Sequence, residues 1–277
     1  MFEIIRKEEM AEGTIVQFDI SAPKIAAKVL PGQFIILRLH EKGERIPLTV
    51  ADADPINGII TLIIQVVGKT TAQMKALNEG EFIKDIVGPL GKQAHCEKKN
   101  GIVIIVAGGT GIAISHHVAK GMKKTGNYVI GIIGARTKDM LILEDEMRAL
   151  CDELIITTDD GSYGEKGFVT MPLERILNDR DDVAEAYAIG PIVMMRNVLK
   201  VTNPKGVHTM VSLNPVMIDG TGMCGGCRIT VGGEMKFACV DGPDFDGSKV
   251  DFDELLNRNS RYLKEEKDSL LFSVKKV

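Results

Sequence analysis

Ile102-Val103-Ile104-Ile105-Val106-Ala107-Gly108-Gly109-Thr110-Gly111 is the stretch that decides the fold. Its first six residues are apolar and mostly β-branched, the composition of a strand buried on both faces of a parallel sheet. The run passes directly into glycines and then into a helical pattern reaching about Lys124. Strand, glycine turn and helix form the setting of a dinucleotide site: the glycines let the turn close and let a pyrophosphate approach the backbone. Alone, such a turn is equally a structural βα connection, so its neighbours must decide.

Downstream, the pattern repeats. Tyr128 to Ile133 reads as a strand ending at Gly134-Ala135-Arg136, followed by a helix over Glu144 to Cys151. Leu154 to Thr158 is the next strand, running into TDDGSYG (Thr158 to Gly164), then a helix near Pro172 to Leu177. Ala186 to Ile189 is another, ending at Gly190-Pro191 with Met194 and Met195 opening a helix. Glycine turns at successive strand ends fit ligands bound beyond the carboxyl ends of a parallel sheet. Met194 and Met195 read first as core packing. His116 and His117, with no carboxylate partner evident in the sequence, read as structural.

Upstream, residues 1 to about 97 change character. Thr14 to Ile20 alternates with period two, and Phe34 to Leu39 and Ile59 to Val67 are short β-rich runs. Ala22-Pro23, Pro31-Gly32, Asn57-Gly58 and Glu79-Gly80 punctuate them, which predicts a small barrel. One helix, Thr70 to Leu77, interrupts it, with threonine as the expected N-cap. Two features there suit a flavin nucleotide. Glu44-Arg45-Ile46-Pro47-Leu48-Thr49 offers a cation, a rigid proline and a hydroxyl on one strand. Gly68-Lys69-Thr70-Thr71 opens the helix with small residues, as a phosphate site would. Singly, each reads as a solvated face or a cap.

Three of the five cysteines lie near the end, in Asp219-Gly220-Thr221-Gly222-Met223-Cys224-Gly225-Gly226-Cys227 and at Cys239. The pattern is D-x4-C-x2-C-x11-C, against the C-x4-C-x2-C plus distant Cys of plant-type [2Fe–2S] proteins. Asp219 stands where the first Cys would be, and a carboxylate can ligate iron. Glycines let such a loop wrap closely around a cluster. The alternatives are a zinc site built from the same four residues and a redox dithiol. Zinc sites usually come as two separated pairs, so the triplet favours the cluster, held by Asp219, Cys224, Cys227 and Cys239. Cys96 and Cys151 read as ordinary thiols.

The remaining composition excludes more than it selects. The chain has 277 residues, 44% of them hydrophobic and 26% charged, and a net charge of −4. That is ordinary for a soluble globular protein and gives no reason to expect nucleic acid. The segment Ile102 to Ala119 is too interrupted to span a membrane. The N-terminus has no signal-peptide pattern, and clustered cysteines fit a reducing compartment, so a cytoplasmic protein is expected. Asp251 to Val277 is charged and helical in pattern, with Leu255, Leu256, Leu263, Leu270, Leu271 and Phe272 as its apolar positions. It is expected to pack on the domain, with subunit docking as the second reading.

The motifs ERIPLT, GKTT, GGTGIA, GAR, TDDGSYG, GP-x2-MM and DGTGMCGGC together resemble the ferredoxin–NADP reductase superfamily over essentially the whole length. Within it, the chain is similar to the electron-transfer subunits of dihydroorotate dehydrogenase. It is more similar still to the small subunits of NADH-dependent reduced ferredoxin:NADP oxidoreductase, also called sulfide dehydrogenase, because the dihydroorotate group resembles the all-cysteine pattern. The resemblance implies an α/β plus β chain. Residues 1–97 would be a flavin-binding antiparallel β-barrel and 98–210 a doubly wound, parallel-sheet NAD-binding domain. Residues 211–250 would be a small [2Fe–2S] loop domain and 251–277 a helical tail.

By position, it implies that Arg45, Pro47, Leu48 and Thr49 hold the FAD ring and ribityl chain. Ile64 and Gln65 would line the flavin, and Gly68, Thr70 and Thr71 would meet its pyrophosphate. Gly109, Thr110, Gly111, Gly134 and Arg136 would meet NAD(H), with Asp160, Gly190, Pro191 and Met194 lining the same cleft. Three positions depart from the superfamily: Ile114 stands for a common Pro, Ile189 for a common Cys, and Arg45 lies one residue further from Thr49 than usual. The implied activity is a relay among NADH, FAD and the cluster, with no side chain obliged to act as acid or base. Electrons would pass to or from a larger subunit carrying its own flavin and [4Fe–4S] clusters, and through it to ferredoxin and NADP(H), in electron bifurcation. The alternatives are the dihydroorotate dehydrogenase electron-transfer subunit and, from another class, a zinc-stabilised nucleotide-binding adaptor.

Overall fold

The computed structural model describes residues 1–274, and their side chains except at 267 and 270–274. Leu270, Leu271 and Phe272, expected as apolar positions of the tail, therefore lie outside the described side chains.

The N-terminal strands are β1 (Phe2–Met10), β2 (Ile15–Ser21), β3 (Phe34–Arg38), β4 (Ile46–Thr49), β5 (Asp52–Asp54), β6 (Ile59–Gln65), β7 (Phe82–Ile83) and β8 (Asp85–Leu90). They form two antiparallel sheets, ordered β5-β6-β2-β1-β7 and β4-β3-β8. Alternating residues of both sheets, among them Ile4, Phe18, Ile35, Leu37, Leu62 and Ile64, fill one core. Two short helices join them, α1 (Pro23–Ala26) and α2 (Lys69–Lys75). The expected N-cap is corrected. Gly68 caps α2, and the Thr71 hydroxyl accepts the amides of Val67 at 3.1 Å and Gly68 at 3.0 Å. Threonine serves the cap from inside the first turn, leaving Thr70 buried.

The second sheet contains β9 (Ile102–Gly108), β10 (Tyr128–Ala135), β11 (Glu153–Thr158), β12 (Glu165–Lys166), β13 (Val183–Ile189) and β14 (Thr209–Ser212). Every residue of β9 is buried, as its apolar run requires. The order β12-β11-β10-β9-β13-β14 is parallel throughout. The chain steps outward from β9 to β12, then returns to the other side of β9 to place β13. That reversal creates a crevice at the carboxyl ends of β9 and β13, where open α/β sheets bind ligands.

Helices α3 (Gly111–Lys124) and α4 (Glu144–Leu150) cover one face; α5 (Thr170–Asp179) and α6 (Ile192–Thr202) cover the other. Each face also ties in a second region. The α3 face shares its core with Ile15 of β2 and Ala51, which lies between β4 and β5. The α6 face shares its core with Cys227, Ile229, Ala238 and Cys239.

The last of these belong to the segment after β14. It forms a long loop, a hairpin of β15 (Arg228–Val231) and β16 (Glu234–Phe237), the single turn α7 (Ala238–Asp241) and β17 (Asp244–Asp246). β17 returns to pair antiparallel with β14, closing that edge of the parallel sheet. Helix α8 (Phe252–Asn259) packs on the same core, and α9 (Leu263–Val274) follows. Among the described residues, no helix is long and apolar enough to cross a membrane.

Candidate functional site

At the crevice, the two strand-end turns touch. A Cβ built on Gly111 would lie 2.3 Å from the Ile189 carbonyl oxygen and 2.8 Å from the Gly190 Cα, so only glycine allows this contact. On Gly108 it would meet Met194 Sδ at 2.7 Å, which places Met194 against the floor of the turn. Gly109 differs. Its φ is +56°, and a Cβ there would meet nothing within 4 Å. The turn is therefore packed below and open above, a backbone concavity fit for a pyrophosphate. Gly134 lies deeper, since a Cβ would meet Val169 at 2.5 Å and Thr157 at 2.8 Å, so it serves packing. Arg136 follows β10, and its carbonyl accepts the Asp160 amide at 3.3 Å, which sets these two positions side by side. The Asp160 carboxylate folds back on Ser162, accepting its amide at 2.9 Å and its hydroxyl at 2.7 Å. The hydroxyl bond, with the amide, holds this carboxyl below its usual range.

Adjoining the crevice is a cavity of about 510 Å³ between the N-terminal sheets and the parallel sheet. Pro47, Leu48 and Thr49 of β4, Ile64 and Gln65 of β6, and Gly68, Thr70 and Thr71 at the start of α2 all line it. Ile64 does so while its side chain belongs to the barrel core. From across the junction come Thr110, Ala113 and Ile114, and from the segment after β14 comes Asn214. Glu266 and Ser269 of α9 close one side, so the tail helix lies over this cavity. Sequence reasoning missed Ile63, Val67, Asn214 and these two tail residues, and met Glu44, Ile46, Lys69, Ala113 and Ile114 only as members of motifs, with no role assigned. Ile63 and Val67 carried a signal, their place in a β-rich run. Arg45 departs from the expected group: it lines a separate groove with Phe2, Arg38, Lys84 and Val87.

His116 and His117 line neither cavity. The His117 Nδ1–H donates to the Val50 carbonyl at 3.0 Å, and burial pushes the ring's pKa down, keeping it neutral. His116 is shifted the same way by burial.

The third part is the loop before β15. Asp219 Oδ1 accepts the Thr221 amide at 2.8 Å and Oδ2 the Cys224 amide at 2.7 Å, and the Thr221 bond leads in holding this carboxyl below its usual range. Gly220, Gly222 and Gly225 all have φ between +65° and +82°, the left-handed turns that let the loop curl. The Gly226 amide donates to Cys224 Sγ and the Cys239 amide to Cys227 Sγ, each at 3.4 Å. Cys227 and Cys239 are buried together, and burial, with Cys227 beside it, pushes the Cys239 thiol up to about 12. The donors thus fall into two pairs, Asp219 with Cys224 and Cys227 with Cys239. Among the described residues, no three His, Cys, Asp or Glu side chains converge on one point as a single-ion site requires. Two pairs suit a two-iron cluster, which takes two protein donors per iron, and amides aimed at sulfur are the usual tuning contacts. The donor set fits a [2Fe–2S] group.

Comparison with known proteins agrees. Residues 214–251 match the family model of the iron-sulfur cluster binding domain of dihydroorotate dehydrogenase B. The chain is 48% identical over 268 residues to a Thermotoga maritima protein described as a dihydroorotate dehydrogenase B (NAD(+)) electron transfer subunit homolog, covering 96% of this chain and 93% of that one. A solved structure described as the NADH-dependent reduced ferredoxin-NADP oxidoreductase, studied for flavin-based electron bifurcation, superposes with a TM-score of 0.91. It is 47% identical, over 97% of this chain and 96% of that one. Amycolatopsis cytochrome P450 reductase GcoB, 18% identical with a TM-score of 0.63 over 74% of this chain and 65% of that one, shares the fold alone. These matches leave no support for a zinc-held adaptor. With two strand-end turns, a cavity beside them and paired sulfur donors all in place, the chain belongs to the family of the dihydroorotate dehydrogenase B electron transfer subunit and its homologues.

Proposed function

We propose that the chain is the electron-transfer flavoprotein subunit of an NADH-dependent reduced ferredoxin:NADP oxidoreductase. Thr110 carries the reading. It belongs to the glycine turn that receives the nicotinamide dinucleotide and also lines the cavity that receives FAD. A hydride donor bound at one is therefore in reach of an acceptor bound at the other. The cofactors supply hydride and single-electron chemistry, and the protein supplies position and electrostatics.

In this reading, Gly109, Gly111, Gly190 and Pro191 shape the NADH crevice, with Arg136, Asp160 and Met194 around it. Pro47, Leu48, Thr49, Gln65, Gly68, Thr70 and Thr71 hold FAD. Asp219, Cys224, Cys227 and Cys239 hold the [2Fe–2S] cluster. The thiols must lose their protons to bind iron, so loading the cluster releases protons. The chain serves a larger subunit with its own flavin and [4Fe–4S] clusters, through which ferredoxin and NADP(H) react. Relatives described as electron transfer subunits support such a partner.

Two measurements decide. Metal and flavin analysis of anaerobically purified protein should find iron, acid-labile sulfide and FAD. Anaerobic NADH should then bleach the flavin; a flavin that keeps its colour would break the relay at its first step.

A further inference from the structure

Cations of the N-terminal region line two separate cavities. Arg45 lines the groove of about 360 Å³ beside β3 and β8. Ile46, the next residue, lines the flavin cavity instead. Among the described residues lining that cavity, Lys69 is the one cation, and Glu44 and Glu266 are the carboxylates. Glu44 is already engaged. Its Oε2 accepts the Thr70 hydroxyl at 2.5 Å, and its Oε1 lies 3.7 Å from Lys69 Nζ. Thr70 is only 5% exposed, so its hydroxyl depends on a protein or ligand acceptor. One carboxylate thus engages the two side-chain donors, Lys69 and the Thr70 hydroxyl, beside the backbone amides of the Gly68–Thr71 turn.

We propose that Lys69 is the cation that meets the flavin diphosphate in this chain, that Glu44 holds Lys69 and the Thr70 hydroxyl until the diphosphate arrives, and that Arg45 takes no part. The inference rests on the flavin reading of the cavity. Its physical content is a contest between anions. A diphosphate brought to Lys69 and Thr70 meets the Glu44 carboxylate at close range, and like charges there weaken binding. Removing the carboxylate's charge relieves that opposition. Removing the ammonium leaves the diphosphate without its counter-charge.

The test uses full-length protein stripped of flavin and titrated with FAD and, separately, riboflavin, which lacks the diphosphate; binding is read by flavin fluorescence. Lys69→Met should weaken FAD roughly tenfold or more, the scale of a charged hydrogen bond lost. Riboflavin affinity should hold, and Lys69→Arg should restore most of the FAD loss. Glu44→Gln should tighten FAD about threefold to tenfold with riboflavin unmoved, because a like-charge neighbour is gone. Arg45→Met should leave FAD affinity unchanged. Circular dichroism of each variant checks the fold. The proposal is overturned if Arg45→Met loses FAD while Lys69→Met keeps it, or if Glu44→Gln weakens FAD. Wild-type protein that binds riboflavin but not FAD would also sink it. Wild type that binds neither would sink the flavin reading itself, a result separate from any ranking of the variants.

Discussion

The nucleotide crevice and the Asp219–Cys227 loop are both glycine-rich, yet Gly111 in the first and Gly225 in the second do opposite work. At Gly111, added bulk would strike a backbone atom 2.3 Å away, so glycine permits two strand ends to pack. At Gly225, a Cβ would meet only the tips of Arg228 and Phe237, beyond 3.6 Å, so glycine there permits a positive φ. The first site is fixed by the sheet before any ligand arrives. The second is held by one carboxylate's hydrogen bonds and two amide–sulfur contacts, and Cys224 is exposed. The crevice thus rests on backbone packed against backbone, and the loop on local hydrogen bonds, so the two sites depend on different restraints.

Substitutions can break that contrast. Gly111→Ala has the largest expected effect, destabilising by roughly 2–4 kcal/mol, because backbone must separate to admit the methyl. Urea unfolding checks it; an unshifted midpoint would mean the strand-end turns do not touch. Gly109→Ala should cost only about 1–2 kcal/mol, the strain of a left-handed alanine. It should nonetheless raise the KM for NADH far more than its stability loss suggests, since its Cβ projects into the open concavity.

Two groups at opposite margins of the parallel-sheet region titrate, Asp244 beside β14 and His117 against Val50, and they should pull in opposite directions. Asp244 on β17 has both carboxylate oxygens sealed from solvent, and burial raises its pKa to about 6, an effect the neighbouring Ser212 hydroxyl only partly offsets. Its charge opposes folding above that pH, so its destabilisation fades as pH falls through about 6. Asp244→Asn should raise stability near pH 7.5 by roughly 1–3 kcal/mol, a couple of pKa units' worth, and remove that gain on acidification. His117, with its pKa lowered, contributes stability that is full above the ordinary histidine range and lost as pH falls below it. Melting curves of Asp244→Asn and His117→Gln from pH 5 to 8 should differ from wild type with opposite slopes. Parallel slopes would refute the assignment.

The smallest effect on the fold belongs to Asp219. Asp219→Ala should shift global stability by under ~1 kcal/mol, since its bonds are local and exposed, while lowering iron content. Asp219→Cys should keep the iron and change the cluster's potential. Iron analysis beside a melting curve separates the two; loss of all cluster absorbance in Asp219→Cys would give this position another role.

Much of this was legible in the residues. The β9 run and the turns after β9 and β13 follow from burial and glycine spacing, and the cysteine pattern points to iron. β1 was not foreseen, because Phe2–Met10 is crowded with charge and Ile4 alone is buried. Its pairing with β2 and β7 is long-range, and composition cannot announce it. Arg45 lies apart from the other members of its motif for a different reason. A motif gives a residue's neighbours in sequence, while the fold decides which cavity the residue lines. Asn214, Glu266 and Ser269 reach the flavin cavity only through tertiary packing, so no local pattern marks them.

Pairing between β14 and β17 has a consequence for how the chain can be divided. The strand that covers the flank of the parallel sheet is made of residues beyond the iron loop. A nucleotide-binding fragment ending at Ser212 would leave Thr209–Ser212 with unmatched amides and carbonyls, and exposed strand borders of that kind recruit other chains. Such a fragment should scatter light and aggregate. One extended through Asp246 should stay monodisperse.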